Sequence, residues 1–227
     1  MLSRIPLSAY RRFAGAALLA IFAHLALPAP ATAADPANKG PVKILALGDS
    51  LTSGYGLPPG DGFVPQLQRA LQAAGIDAEV SNAGVAGDTS ADGLARLDWA
   101  LADDPAVVIV EFGANDALRG LDPALVRTNL DAILTKLGQQ HRAVLLVGML
   151  APPNLGPDYG RAFDAIYPDL AKKHGVALYP FFLDGVATNA ALNQADGIHP
   201  TAAGVAVIVQ RILPALRRTI DASGSKG

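Results

Sequence analysis

Residues 42–56 read VKILALGDSLTSGYG, and the change of character at Gly48 decides how the chain begins to fold. An apolar run breaks abruptly into Gly, Asp, Ser, Thr and Gly, which is how a buried strand ends on a sharp turn at a sheet edge. Ser50 stands on that turn. A serine so placed is a nucleophile, part of a phosphate-cradling loop, or the N-cap of a following helix, and the rest of the sequence has to choose.

Working outward, apolar runs recur at 42–47, 78–81, 106–111, 143–150 and 176–179. Three of them, VKILAL, AVVIVEF and AVLLVGML, are continuous rather than alternating, as expected of strands covered on both faces. Helical patterns fill the intervals at 63–74, 91–101, 123–137, 160–174 and 202–220. Asp122 and Pro123 supply a cap and a first-turn proline for one helix, and Thr201 a cap for the last. A βαβ series of five strands predicts an α/β fold with a five-stranded parallel sheet between helical layers. Such sheets carry their sites at the carboxyl ends of the strands. That brings together Ser50, the segment from Asn82 to Gly87, the segment from Gly113 to Asp116, and the Pro/Gly-rich loop at 151–160.

The 227-residue chain is long enough for one compact domain. Residues 1–34 are set apart: Arg4, Arg11 and Arg12 with no acid, an apolar stretch at 13–27, then Ala31-Thr32-Ala33. This is the pattern of a cleaved secretory signal peptide, so an exported protein, periplasmic or secreted, is expected. The apolar part is short of the ~20 residues of a membrane span, and retention as an anchor is the other reading. Residues 35–41 read as a linker, 42–220 as the folded domain and 221–227 as a flexible tail. Without residues 1–34 the chain has 15 basic against 20 acidic side chains, which speaks against nucleic acid as a partner. It contains no cysteine, so an ordinary hydrophobic core must stabilise it and thiol chemistry is excluded.

Chemistry is concentrated in DGIHP, residues 196–200. Asp196 and His199 are three positions apart, close enough for the carboxylate to hold the imidazole by its Nδ1 proton while Nε2 faces outward. With Ser50 they supply a nucleophile, a base and an orienter. Serine attack builds charge on a carbonyl oxygen, and the N–H of Ser50, the N–H of Gly87 and the amide of Asn115 all lie at strand ends where they can meet it. Asn115 alone also reads as a turn residue, Asp49 as a turn organiser, and Asp116 with Arg119 as a local brace. His199 is the only histidine in a site-like context, so neither a metal nor another cofactor is expected. GDSLTSG lacks the Lys-Ser/Thr of a P-loop. A non-catalytic ligand-binding module would leave Asp196 and His199 unexplained.

Residues 42–218 resemble the SGNH hydrolase (GDSL lipase/esterase) family in four ordered blocks: GDSLTSGYG with Ser50, NAGVAGDTS with Gly87, GANDALRG with Asn115, and DGIHP with Asp196 and His199. The resemblance implies a flavodoxin-like three-layer sandwich, a triad of Ser50, Asp196 and His199, and an oxyanion hole from Ser50, Gly87 and Asn115. The stretches GYGL, APPNLGPDYGRAFDAIYPDLA and PFFLDGV are most similar to exported bacterial arylesterases that also act as thioesterases and lysophospholipases. A small-molecule ester or thioester is the implied substrate, cleaved through an acyl-enzyme on Ser50 by a monomer. The rival within the family is a carbohydrate O-acetylesterase. Leu57, Leu150, Leu155, Tyr159 and Ile198 lie on or beside the catalytic loops and are candidates to line an acyl groove, with Phe163 divided between groove and core.

Overall fold

The structure, a computed structural model, describes residues 40–224. Its five strands are β1 (Val42–Gly48), β2 (Ala78–Gly84), β3 (Val107–Glu111), β4 (Ala143–Val147) and β5 (Ala177–Tyr179), all parallel, in the order β2-β1-β3-β4-β5. This is the flavodoxin-like arrangement expected from the sequence. The inner strands β3 and β4 are buried along their whole length, which is why their sequences run apolar without alternation.

The helices are α1 (Ser50–Ser53), α2 (Phe63–Ala73), α3 (Ser90–Ala95), α4 (Leu97–Ala100), α5 (Ala114–Leu118), α6 (Pro123–Gln139), α7 (Pro157–Asp164), α8 (Ile166–His174) and α9 (Ala202–Gly224). Helix α2 packs on α9, and α9 on β3, β4 and β5, whereas α3 and α8 pack on α6. The chain leaves β1 toward one side of the sheet and β3 toward the other, so a crevice opens between their carboxyl ends. Ser50 and Asn115 follow those two strands.

Two of the expected helices are divided. The segment 91–101 becomes α3 and α4 because Arg96 leaves helical geometry, with φ −101° and ψ 7°. The segment 160–174 starts earlier, at Pro157, and is interrupted at Ala165. There Pro168 has no N–H to offer the carbonyl of Asp164 and its ring crowds that turn. Helix α9 continues to Gly224, so residues 221–224 of the expected tail are helical. No residue from Asp221 to Ser223 breaks the pattern, and Ser223 Oγ donates to the carbonyl of Ile220 at 2.7 Å. Caps read from the sequence are in place at Asp122, which accepts from the N–H of Ala124, and at Thr201, whose Oγ1 accepts from the N–H of Gly204 at 3.2 Å. The expected signal peptide and most of the expected linker lie outside the described residues.

Candidate active site

Ser50 begins α1 immediately after β1, and Asp49 is its N-cap: Oδ1 accepts the N–H of Leu51 at 2.9 Å. The turn is further tied by the Ser53 hydroxyl, which donates to the carbonyl of Ser50 at 3.1 Å. Among the described residues the N–H of Ser50 has no acceptor, so a donor is left open beside the side-chain oxygen.

His199 approaches from the loop before α9. Its Nδ1 lies 2.6 Å from Asp196 Oδ2, and its Nε2 lies 3.0 Å from Ser50 Oγ. An ionised Asp196 only accepts, so Nδ1 carries the proton, and in the neutral ring Nε2 accepts from the serine hydroxyl. Asp196 Oδ1 also accepts the N–H groups of Ile198 (2.9 Å) and His199 (3.0 Å), which folds the loop around one carboxylate. Hydrogen bonds from the His199 ring first, then from those two N–H groups, lower the Asp196 pKa to about 2, so the orienting charge persists at every working pH. The loop is fastened to the Ser50 side by Gln194. Its Nε2 donates to the carbonyls of Tyr55 (2.9 Å) and Pro200 (3.0 Å), and its N–H donates to the carbonyl of His199 at 2.7 Å. The Tyr55 ring stands 4.7 Å from the His199 ring, tilted by 41°.

Gly87 follows β2 with φ +89°, a left-handed conformation that a side chain disfavours, and its N–H has no acceptor among the described residues. Arg119 Nη2 donates to the Gly87 carbonyl at 2.7 Å and fixes the orientation of the Gly87–Asp88 peptide. Asn115 lies in the short helix α5 rather than on an open turn. Its Nδ2 donates to Asp49 Oδ2 at 3.0 Å and to the Asp88 carbonyl at 2.9 Å. The expected Asp116–Arg119 brace is absent: Asp116 accepts from the N–H (2.8 Å) and hydroxyl (2.7 Å) of buried Ser90, while Arg119 reaches Gly87. Arg96 joins the loops after β1 and β2, with Nε on Asp88 Oδ2 at 2.6 Å and Nη2 on the Gly48 carbonyl at 2.9 Å.

Behind the turn, Asp49 and Glu111 are both buried carboxyls. Burial pushes the Asp49 pKa up to about 6, and burial together with the Asp49 charge pushes Glu111 well above the usual carboxylate range.

A mainly apolar cavity of about 510 Å³ opens beside Ser50 and His199. Leu118, Met149, Leu150, Phe181, Leu183 and Ile198 supply most of its apolar wall. Of the groove candidates, Leu150 and Ile198 therefore line it. Leu57 packs against the core, and neither it nor Leu155 borders the cavity. Tyr159 donates to the carbonyl of Leu121 at 2.8 Å and stacks on fully buried Phe163, which leaves both out of the cavity. Sequence reasoning missed Phe181 and Leu183. Their signal was the PFF run just after β5, at the same sheet edge as the loops that carry Ser50 and Asn115. Among the described residues no three His, Cys, Asp or Glu side chains converge as metal ligands, and no helix is long and apolar enough to cross a membrane.

Residues 46–207 match the GDSL-like Lipase/Acylhydrolase family. The chain is 43% identical to the esterase TesA of Pseudomonas aeruginosa over 175 residues, 77% of this chain and 87% of that protein. It is 40% identical to the thioesterase 1/protease 1/lysophospholipase L1 of Escherichia coli K12 over 158 residues, 69% of this chain and 74% of that one. The crystal structure of TesA superposes with a TM-score of 0.75 at 42% identity, covering 78% of this chain and 99% of TesA.

Proposed function

The chain belongs to the GDSL-like lipase/acylhydrolase family and is an esterase-type serine hydrolase, and from that premise we propose that Ser50, His199 and Asp196 form its catalytic triad. The observation that carries this reading is the unbroken relay from Asp196 through His199 to Ser50, at 2.6 and 3.0 Å, on the wall of an apolar cavity.

Ser50 Oγ attacks the carbonyl carbon of the ester while its proton passes to His199 Nε2, and Asp196 holds the Nδ1 proton and stabilises the imidazolium that forms. The carbonyl oxygen becomes an oxyanion facing the N–H of Ser50, the N–H of Gly87 and the Asn115 amide. Collapse breaks the bond to the alcohol or thiol, which leaves with the proton from Nε2. Water then attacks the acyl-serine, its proton passes to Nε2, and the acid departs as Ser50 is reprotonated.

The apolar wall, with Leu150 and Ile198 in it, suits an acyl chain of several carbons better than an acetyl group on a polar glycan. That favours alkyl and aryl esters, lysophospholipids or acyl thioesters over a carbohydrate O-acetyl group. The test is a panel of p-nitrophenyl acetate, longer p-nitrophenyl acyl esters, an acyl thioester and an acetylated glycan. Rates that rise with acyl length support this reading, and activity confined to the glycan overturns it.

The enzyme is read as exported, periplasmic or secreted, and as a monomer without a cofactor. The support for export is the Arg4, Arg11 and Arg12 cluster, the apolar stretch at 13–27 and the Ala31-Thr32-Ala33 site. N-terminal sequencing of the exported protein should begin within a residue or two of Ala34. A chain that retains residues 13–27 would be membrane-anchored instead.

A further inference from the structure

Glu111 ends β3 directly opposite Gly48 in the parallel register, so its side chain projects beneath the turn that carries Ser50. It is fully buried, and a Cβ on Gly48 would come within 2.6 Å of Glu111 Oε2 and 2.2 Å of Thr52 Oγ1. Only glycine leaves room there for this carboxyl. Oε2 accepts from the Thr52 hydroxyl at 2.8 Å, with the N–H of Asp49 at a long 3.4 Å, and Oε1 has no hydrogen-bond partner. Asp49 is used differently: Oδ1 takes the N–H of Leu51 and Oδ2 takes the Asn115 amide.

Two neighbouring carboxyls out of contact with water cannot both be anions, because neither charge is solvated and each repels the other. The one with two N–H donors is the better place for the charge. The one with an orphaned oxygen is the better place for the proton. The ionisable groups around the pair are His199, whose charge favours ionised Asp49, Arg96, which binds the Gly48 carbonyl, and Tyr167, whose hydroxyl donates to the Phe112 carbonyl at 3.0 Å. None of them makes a hydrogen bond to Glu111.

We propose that Glu111 is a positioning residue that works as a neutral acid, so that its buried neighbour Asp49 remains an anion and holds the Asn115 amide beside the reacting carbonyl. Glu111 is pushed well above the usual carboxylate range, whereas Asp49, raised to about 6, is still an anion at pH 8. No proton leaves Glu111 during turnover, and it acts only through Asp49 and Asn115. The inference rests on the reading of Asn115 as an oxyanion donor.

Infrared spectra and steady-state kinetics of the full-length mature enzyme test the two parts separately. At pH 8 the wild type should show a protonated-carboxyl C=O band that is lost in Glu111→Gln; without such a band Glu111 is ionised and the proposal fails, whatever the activity. Glu111→Ala should lower kcat by roughly 10-fold to 100-fold, as loss of an outer-shell partner does, with KM within about 2-fold. Glu111→Gln, which keeps the shape and is neutral, should recover kcat to within about 3-fold of wild type. A Gln variant as impaired as the Ala variant overturns the neutral-acid role, and it remains informative if the Ala variant does not fold. In an Asn115→Ala background, Glu111→Ala should cause little further loss; a full additional loss overturns the route through Asn115. If Asn115→Ala alone leaves kcat unchanged, the oxyanion reading falls and the catalytic part of this proposal with it, while the infrared band still reports where the proton sits.

Discussion

The side-chain amide of Asn115 lies 3.0 Å from the carboxylate of Asp49, the residue immediately before Ser50. Its second hydrogen goes to the Asp88 carbonyl at 2.9 Å, next to Gly87. The amide is thus clamped between the loops after β1 and β2 before any substrate arrives. Both hydrogens are thereby engaged, so the amide meets a developing oxyanion by sharing one of them, from a position that is already fixed. The same clamp makes Asn115 a structural tie, so its two roles are not separable by stability alone.

Asn115→Ala should therefore lower both stability and turnover. Losing the donor to Asp49 and to the Asp88 carbonyl costs about 1–3 kcal/mol, and loss of an oxyanion donor should lower kcat by roughly 10²-fold to 10³-fold with a smaller change in KM. Thermal melting and kinetics on one short-chain ester check this. A folded variant with near-normal kcat would leave Asn115 as a tie and nothing more.

A serine-directed organophosphonate should modify the mature protein once, at Ser50, because among the described residues its hydroxyl alone faces a histidine base. Ser53 is committed to the Ser50 carbonyl, and Ser90 is fully buried with its hydroxyl on Asp116. Peptide mass mapping reads the site. Label on Ser53 or Ser90, or no label, would remove Ser50 from the triad.

What could be read from the sequence was what local chemistry or continuous burial writes into it. The inner strands β3 and β4 are covered on both faces and announce themselves as apolar runs. Edge strand β2 ends in Asn82, Ala83 and Gly84, which carry no such signal, and the expected strand stopped at Ser81. Asp196 and His199 meet across three residues and are legible as a pair, whereas Ser50 meets His199 across 149 residues and was placed by topology and resemblance. Contacts of Asp49 with Glu111 and Asn115, 62 and 66 residues away, arise only once β1 and β3 align in register. A single sequence contains no mark of that alignment. The cavity wall was half legible for the same reason: Ile198 adjoins His199 and Leu150 follows β4 at the site edge of the sheet, but the ring of Tyr159 stacks on Phe163 and it is Phe181 and Leu183 that line the groove instead.

Arg96→Lys should lower the melting temperature and kcat together. Lysine keeps the charge but lacks the planar fork that serves Asp88 and the Gly48 carbonyl at once. A drop in kcat of roughly 10-fold is expected for misaligned loops one contact from the chemistry. Arg161→Ala, which removes an exposed pair with Asp158, is the control and should change stability by less than about 0.5 kcal/mol. Equal effects of the two substitutions would show that Arg96 is an ordinary surface cation.

The dependence of stability on pH should change direction, because the carboxyls of this protein are shifted in opposite senses. Asp92 and Asp131 are held low by hydrogen bonds from Thr89 and from Lys173 with His174, and Asp196 is held at about 2 by His199. The stability they contribute is present above the ordinary value of 3.8 and is lost as pH falls toward about 2. Buried Asp49 and Glu111 act the other way. The folded protein keeps protons that the unfolded chain releases near 3.8 and 4.5, so stability declines as pH rises through those values. For Asp49 the decline ends once the folded form ionises at about 6, and for Glu111 it continues higher. Glutamine at position 111 has no proton to lose in either state, so Glu111→Gln should gain in melting temperature relative to wild type between pH 4.5 and 7, least steeply near pH 4.5, where the unfolded glutamate is only half ionised, and more steeply above it. Paired melting curves across that window give the difference directly. A constant offset between the two proteins would mean that Glu111 titrates alike in the folded and unfolded chains, which its burial against Asp49 does not allow.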